Sequence, residues 1–183
     1  MNFIETHLKG CFIIEPKVFH DDRGYFMECF NQKTFNNGIG QEVTFVQDNQ
    51  SYSSKGVLRG LHYQCGDHAQ AKLVRVLEGE VLDVAVDLRP DSETYGQSFA
   101  ILLSAQNQKQ LFVPRGFAHG FLVVSETATF FYKCDNFYNK ESEGGVMFND
   151  PELGIDWNFP ESDLIISEKD QVLPLLKNAK KVW

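Results

Sequence analysis

Lys72-Leu73-Val74-Arg75-Val76-Leu77-Glu78-Gly79-Glu80-Val81-Leu82-Asp83-Val84-Ala85-Val86-Asp87-Leu88 is the stretch on which the fold class turns. Two β-rich runs, Lys72 to Leu77 and Val81 to Leu88, flank a polar break at Glu78-Gly79-Glu80. In the second run Leu82, Val84, Val86 and Leu88 alternate with Asp83, Ala85 and Asp87. Alternation with period two marks a strand, and a glycine between two such runs predicts a hairpin with one face buried. The same texture extends outward. Downstream, strands are expected at Ser98 to Leu103, Gln110 to Val113, Gly120 to Val124 and Thr127 to Cys134, bounded by turn residues such as Ala105-Gln106-Asn107 and Ser125-Glu126. Upstream, Tyr25 to Phe30, Val43 to Gln47 and Val57 to Tyr63 look alike. Helical patterning is confined to a short turn near Gln32 to Asn37 and a C-terminal piece around Gln171 to Lys177. Many short strands without regular helical crossovers predict an all-β antiparallel sandwich or barrel.

The chain has 183 residues, 43% hydrophobic and 13% aromatic, enough for a real core, and no linker or repeat divides it. One domain spanning residues 1–183 is expected. The opening Met1-Asn2-Phe3-Ile4-Glu5 has no basic or apolar leader character and no run is apolar for long enough to span a bilayer, so a cytoplasmic location is expected. Cys11, Cys29, Cys65 and Cys134 are scattered without a CxxC pair and read as reduced thiols. A formal net charge of -8 disfavours nucleic acid and anionic membranes as partners. An anionic ligand must then be held by a local cluster of cations.

In Gly56-Val57-Leu58-Arg59-Gly60-Leu61-His62-Tyr63-Gln64, strict alternation puts Arg59, Leu61 and Tyr63 on one face and Gly60, His62 and Gln64 on the other. Pro114-Arg115-Gly116-Phe117-Ala118-His119-Gly120 has the PxGxxH spacing of the second cupin motif, which delivers His119 to a barrel mouth. Metal-dependent cupins add an HxH pair and a glutamate, whereas His62 is flanked at that spacing by Gly60 and Gln64, with only His68 nearby. Three or four ligands would be needed, so no metal is expected. Acid–base chemistry then has to come from side chains. Tyr132, in a strand dense with aromatics, reads equally as a proton donor or as a core tyrosine whose hydroxyl finds a partner. Lys72 and Asp83 read as a hairpin ion pair on a solvated face. Asp170 reads as a helix cap before Val172 to Leu176.

Taken in order, Asp22-Arg23-Gly24-Tyr25-Phe26-Met27-Glu28, Phe45-Val46-Gln47-Asp48-Asn49, Leu58 to Gln64, Ala71-Lys72-Leu73-Val74, Gly79 to Asp87, Pro114 to Gly120, Tyr132-Lys133-Cys134 and Ser167-Glu168-Lys169-Asp170 closely resemble the dTDP-4-dehydrorhamnose 3,5-epimerase family. The resemblance runs from about residue 3 to about residue 176 and implies a dimeric cupin-type jelly roll that inverts C3 and C5 of a dTDP-4-keto-6-deoxyhexose without a cofactor. It implies His62 as the base, Asp170 on its other ring nitrogen, Tyr132 as the proton donor on the opposite sugar face, and Lys72 as the cation near the C4 oxygen. It also implies Arg23, Glu28, Gln47, Asn49, Arg59, His119, Glu143 and Lys169 as binding positions, with Tyr138 stacked on thymine and Phe26 beside it. Arg23 and Arg59 are the expected diphosphate contacts, because a guanidinium fork can donate two parallel hydrogen bonds. The family's shared N-terminal strands imply a homodimer in which Arg23 to Glu28 act in trans. One departure is Cys65-Gly66-Asp67-His68, where relatives often carry proline. It leaves lid mobility open, and with it the contact made there to the nucleotide.

Overall fold

Short apolar runs separated by polar turns can satisfy their backbone groups only by pairing with one another. The computed structural model describes residues 1–183. In chain order the strands are β1 Asn2–Glu5, β2 Phe12–Glu15, β3 Val18–Asp21, β4 Gly24–Met27, β5 Gln47–Ser54, β6 Val57–Gln64, β7 Lys72–Glu78, β8 Glu80–Asp87, β9 Ser98–Ser104, β10 Gln110–Val113, β11 Phe117–Val123, β12 Thr127–Cys134, β13 Glu143–Gly145 and β14 Ile165–Ile166, with one α-helix, α1, at Gln32–Ile39. One sheet runs β1-β2-β10-β7-β12-β5 and the facing sheet runs β13-β6-β11-β8-β9, with β14 parallel to β6. Strands β3 and β4 form a separate two-stranded ribbon. The stacked sheets are a cupin-type jelly roll.

The expected hairpin at Glu78-Gly79-Glu80 is not one. Strand β7 pairs with β10 and β12, whereas β8 pairs with β9 and β11 in the other sheet. Gly79 turns this corner at φ +77°, and a Cβ there would lie 2.0 Å from the Thr127 carbonyl oxygen. A side chain is excluded both by the positive φ and by the close approach. Because β8 changes sheets, its alternation sorts two cores instead of core and solvent. Val81 and Ala85 point between the sheets, against Val74, Val76, Phe121 and Phe130. Leu82, Val84 and Val86 point outward, where Phe148, Leu153, Trp157, Leu176 and Val182 cover them. Each such side chain contributes about 1.5–3 kcal/mol on burial. The C-terminal segment is therefore held firmly to the sheet, and Asp170 with it.

On the outer face of the first sheet, Phe35 and Ile39 of α1 join Val43 in packing on Ile14, Leu73 and Phe112. The Asn31 side chain caps α1 by accepting from the Thr34 amide at 3.1 Å. Of the expected elements, the strand at Val43 to Gln47 starts only at Gln47 and continues to Ser54, and Tyr25 to Phe30 pairs only as far as Met27. The C-terminal helix is two short 3-10 turns, Asp170–Val172 and Leu176–Asn178. Strands at Asn2–Glu5, Phe12–Glu15 and Val18–Asp21 were not expected. All four cysteines are unpaired. No helix is long and apolar enough to cross a membrane.

Candidate active site

The alternation expected through Arg59 and His62 breaks at Gly60. His119 of β11 pairs with His62, but Phe121 pairs with Arg59, so two steps on β11 match three on β6. This bulge sits where the backbones come close, since a Cβ on Gly60 would be 2.6 Å from the Gly120 Cα. A bulge advances the side-chain phase by one residue. Arg59 and His62 consequently line the same cavity, while Leu58, Leu61 and Tyr63 join the outer core. Gln64, expected beside His62, spends its amide on the His68 and Phe137 carbonyls and accepts from the Asn139 amide. It braces the turn at Gly66–His68, where His68 lines neither cavity described below.

That cavity, about 550 Å³, opens between the sheets and is lined by His62, Arg59, Lys72, His119, Tyr132 and Asp170, among others. It meets a second of about 370 Å³, which shares His62, Lys72, Tyr132 and Lys169 with it and adds Gln47, Asn49, Tyr138 and Glu143. The shared residues mark the junction. His62 comes from one sheet, and Lys72 and Tyr132 from the other. A ligand at the junction therefore has an imidazole on one side and a phenol on the other.

His62 Nε2 is 2.6 Å from Asp170 Oδ1, and the other Asp170 oxygen accepts from the Gly60 amide at 3.3 Å. Burial opposes ionisation of Asp170, but the hydrogen bond and charge of His62, with the Gly60 and Ser167 contacts, hold its pKa below the ordinary range. A carboxylate can only accept, so Nε2 carries the hydrogen, and a ring without a second proton presents the bare lone pair of Nδ1. Asp170 is thus not merely a cap. Burial raises the Tyr132 pKa, which keeps its hydroxyl protonated, and that hydroxyl makes no hydrogen bond within the chain. Burial lowers the Lys72 pKa against the opposing pull of Cys134 and Asp83. The Lys72 ammonium lies 6.0 Å from the centre of the Tyr132 ring and forms no ion pair. The solvated Lys72–Asp83 pair expected from sequence is absent: Asp83 is fully buried between the sheets, with both oxygens on His119 Nε2, at 2.9 and 3.0 Å.

Among the remaining expected positions, Arg59 donates through Nε and a terminal nitrogen to Ser53 Oγ, at 3.3 and 3.2 Å, which leaves its charge unpaired. Gln47 Nε2 donates to Asn49 Oδ1 at 3.1 Å, and the Tyr138 amide donates to Gln47 Oε1. Lys169 Nζ is 2.7 Å from Glu143 Oε2, and this contact raises the Lys169 pKa. Arg23, Phe26 and Glu28 line neither cavity. They belong to the β3–β4 ribbon and the residue just after it, where the Arg23 side chain is 90% exposed and held by Asp21. Ser51 and Ser53 went unnoticed in the sequence. Their signal was the inward phase of β5, where Gln47, Asn49, Ser51 and Ser53 alternate with exposed Asp48, Gln50, Tyr52 and Ser54.

Residues 5–178 match the family model described as dTDP-4-dehydrorhamnose 3,5-epimerase. The dTDP-4-dehydrorhamnose 3,5-epimerase of Escherichia coli K12 is 54% identical over 174 residues, covering 94% of this chain and 93% of that one. A crystal structure of the Elizabethkingia anophelis dTDP-4-dehydrorhamnose 3,5-epimerase superposes with a TM-score of 0.95 at 62% identity, covering 100% of this chain and 99% of the other. A Legionella pneumophila dTDP-6-deoxy-D-glucose-3,5-epimerase, solved with dTDP-4-keto-L-rhamnose, superposes with a TM-score of 0.93 at 48% identity, covering 97% and 93%.

Proposed function

This chain belongs to the dTDP-4-dehydrorhamnose 3,5-epimerase family, and from that premise we propose how its cleft performs the family's reaction. The reaction inverts C3 and C5 of dTDP-4-dehydro-6-deoxy-D-glucose to give dTDP-4-dehydro-L-rhamnose. A proton beside the C4 ketone is removed on one face of the ring and replaced from the other. His62 takes the proton through Nδ1, because Asp170 occupies Nε2. The electron pair of the broken C–H bond delocalises to the C4 oxygen, where the Lys72 ammonium meets the growing charge. Burial destabilises that ammonium on its own, so an adjacent enolate is its natural partner. Tyr132, across the cavity and kept protonated by burial, delivers a proton from the opposite face. His62 and Tyr132 then exchange protons with solvent, and the cycle repeats at the other carbon. Every step moves only protons between substrate and side chains. The observation that carries this reading is the His62–Asp170 pair at 2.6 Å facing Tyr132 and Lys72 across one cavity.

Arg59 is the proposed diphosphate contact on this chain, its charge being unpaired. Gln47, Asn49, Tyr138, Glu143 and Lys169 line the adjoining cavity and take the nucleotide end. We read residues 1–183 as one catalytic domain working in the cytoplasm. Nuclear magnetic resonance of the protein with dTDP-4-keto-6-deoxyglucose in D2O tests the activity: deuterium should enter at both C3 and C5, and exchange at a single carbon would overturn the double inversion.

A homodimer completes the proposal. The β3–β4 ribbon stands apart from both sheets, with Phe19, Tyr25 and Phe26 exposed. A lone two-stranded ribbon is marginal in water, and a cluster of exposed aromatics seeks a covering surface. Packed on a second copy, it brings Arg23, Phe26 and Glu28 to that copy's cavity. Mixing inactive Arg23→Ala and His62→Asn chains should then restore activity, since one site of the mixed dimer carries neither lesion. No restoration, or a monomer by sedimentation, would refute it.

A further inference from the structure

His62 and His119 are partners on neighbouring strands, and each has Nε2 on an aspartate from elsewhere in the fold. The mechanism uses the first pair and leaves the second without a role. Asp83 is fully buried, His119 is only 6% exposed, and His119 is the sole hydrogen-bond partner of Asp83. A carboxylate enclosed between apolar sheets costs several kcal/mol in lost hydration, and a well-packed apolar pair would ordinarily be no less stable. Its place is also informative. The His119 ring stacks on Phe130 at 6.2 Å and 24°, and Phe130 lies two residues before Tyr132 on the same face of β12. His119 is therefore part of the cavity floor beside Tyr132 and Lys72.

Every buried side-chain nitrogen and oxygen has a hydrogen-bond partner, yet Nδ1 of His119 has none. That nitrogen is thus open to the cavity. We infer that Asp83 is a positioning residue: by clamping Nε2 with both oxygens it fixes the His119 ring so that Nδ1 accepts from a hydroxyl of the hexose, and so seats the sugar between His62 and Tyr132. Asp83 touches no substrate atom in this arrangement. It acts on the sugar and not on the nucleotide, because His119 lines the inner cavity and not the adjoining one that holds Tyr138 and Glu143. An apolar replacement could fill the same volume but could not set the ring's orientation.

The inference rests on the epimerase reading, and wild-type exchange is its control: no wild-type deuterium entry would overturn that reading and, with it, the hexose as the group that His119 receives. With wild-type exchange in hand, Asp83→Asn should lower kcat/KM by about 10- to 100-fold, the usual cost of removing an orienting partner. Exchange should slow equally at C3 and C5, since the whole ring is misplaced. The Kd for dTDP alone, which lacks the sugar, should stay within about twofold of wild type, by the placement of Tyr138 outside the inner cavity. His119→Gln should show the same pattern, and adding Asp83→Asn to it should cost little more, because two residues acting as a unit are not additive. Wild-type exchange rates in Asp83→Asn, a matching loss of dTDP affinity, or additive effects in the double variant would each overturn the assignment. If Asp83→Asn does not fold, His119→Gln alone decides by the same split between sugar and nucleotide.

Discussion

Replacing Asp170 by asparagine tests the catalytic reading at its most sensitive contact. The carboxylate accepts from His62 Nε2 at 2.6 Å, and these contacts hold its pKa below the ordinary range, so it is ionised at neutral pH. A hydrogen bond to a charged group is worth about 1.5–3 kcal/mol, or roughly 10- to 150-fold in rate if felt only as the imidazole gains its proton. Asparagine removes more than that. Its amide can donate to Nε2, which moves the hydrogen to Nδ1, the nitrogen that must be bare to act as a base. Tautomer loss of this kind costs about 10⁴ in the serine protease triad. The expected fall in kcat is therefore two to four orders of magnitude, with dTDP binding little changed because Asp170 is absent from the nucleotide end of the cleft. Deuterium exchange at C3 and C5 in D2O gives the rate directly, and a titration with dTDP gives the affinity. Exchange within tenfold of wild type would refute the argument that Asp170 sets the state of His62.

Three further outcomes follow from contacts elsewhere. Tyr132→Phe should let deuterium exchange continue while inversion fails, because His62 still removes the proton and nothing delivers one from the other sheet; normal formation of dTDP-4-dehydro-L-rhamnose would make Tyr132 structural. Gly79→Ala should lower stability by about 3 kcal/mol, from a positive φ and a clash with the Thr127 carbonyl, read as a shift in the urea midpoint. An unchanged midpoint would mean that the corner relaxes freely. Asp87 accepts from Arg89, Ser92 and Thr94, and although burial opposes its ionisation, these partners lower its pKa. A depressed carboxylate stabilises the fold above its unfolded value near 3.9, and that stabilisation is lost as pH falls through the lower folded value. Asp87→Ala should thus cost about 3–5 kcal/mol at pH 7. The gap to wild type should narrow on acidification below about pH 4, whereas a gap independent of pH would refute the electrostatic account.

Period two in the hydrophobic pattern is a local property of the chain, so the strands from β6 to β12 were legible, as was the absence of helical crossovers, whereas the short β13 and β14 carry too few residues to show a period. The ordered motifs around Arg23, His62, Lys72, Tyr132 and Asp170 were legible for the same reason, being contiguous runs of residues. Tertiary structure decided where those runs meet. Alternation in β8 could not reveal that both its faces are covered, since the covering residues at 146–182 come from the far end of the chain. Gly79 looked like a hairpin turn because a tight corner has the same local chemistry whether the next strand pairs back or crosses to the other sheet. The bulge at Gly60 was likewise hidden, because it depends on the approach of Gly120, sixty residues away, and it alone puts Arg59 and His62 into one cavity. Asp83 shows the same divide most sharply: its place in an alternating strand made it look solvated, and only the closure of the opposite sheet over it, with His119 as its single partner, turned it inward. Sequence determines where the strands run and, away from bulges, which residues share a face, but what covers a face is set by non-local packing, and the chemistry of this cleft depends on that packing.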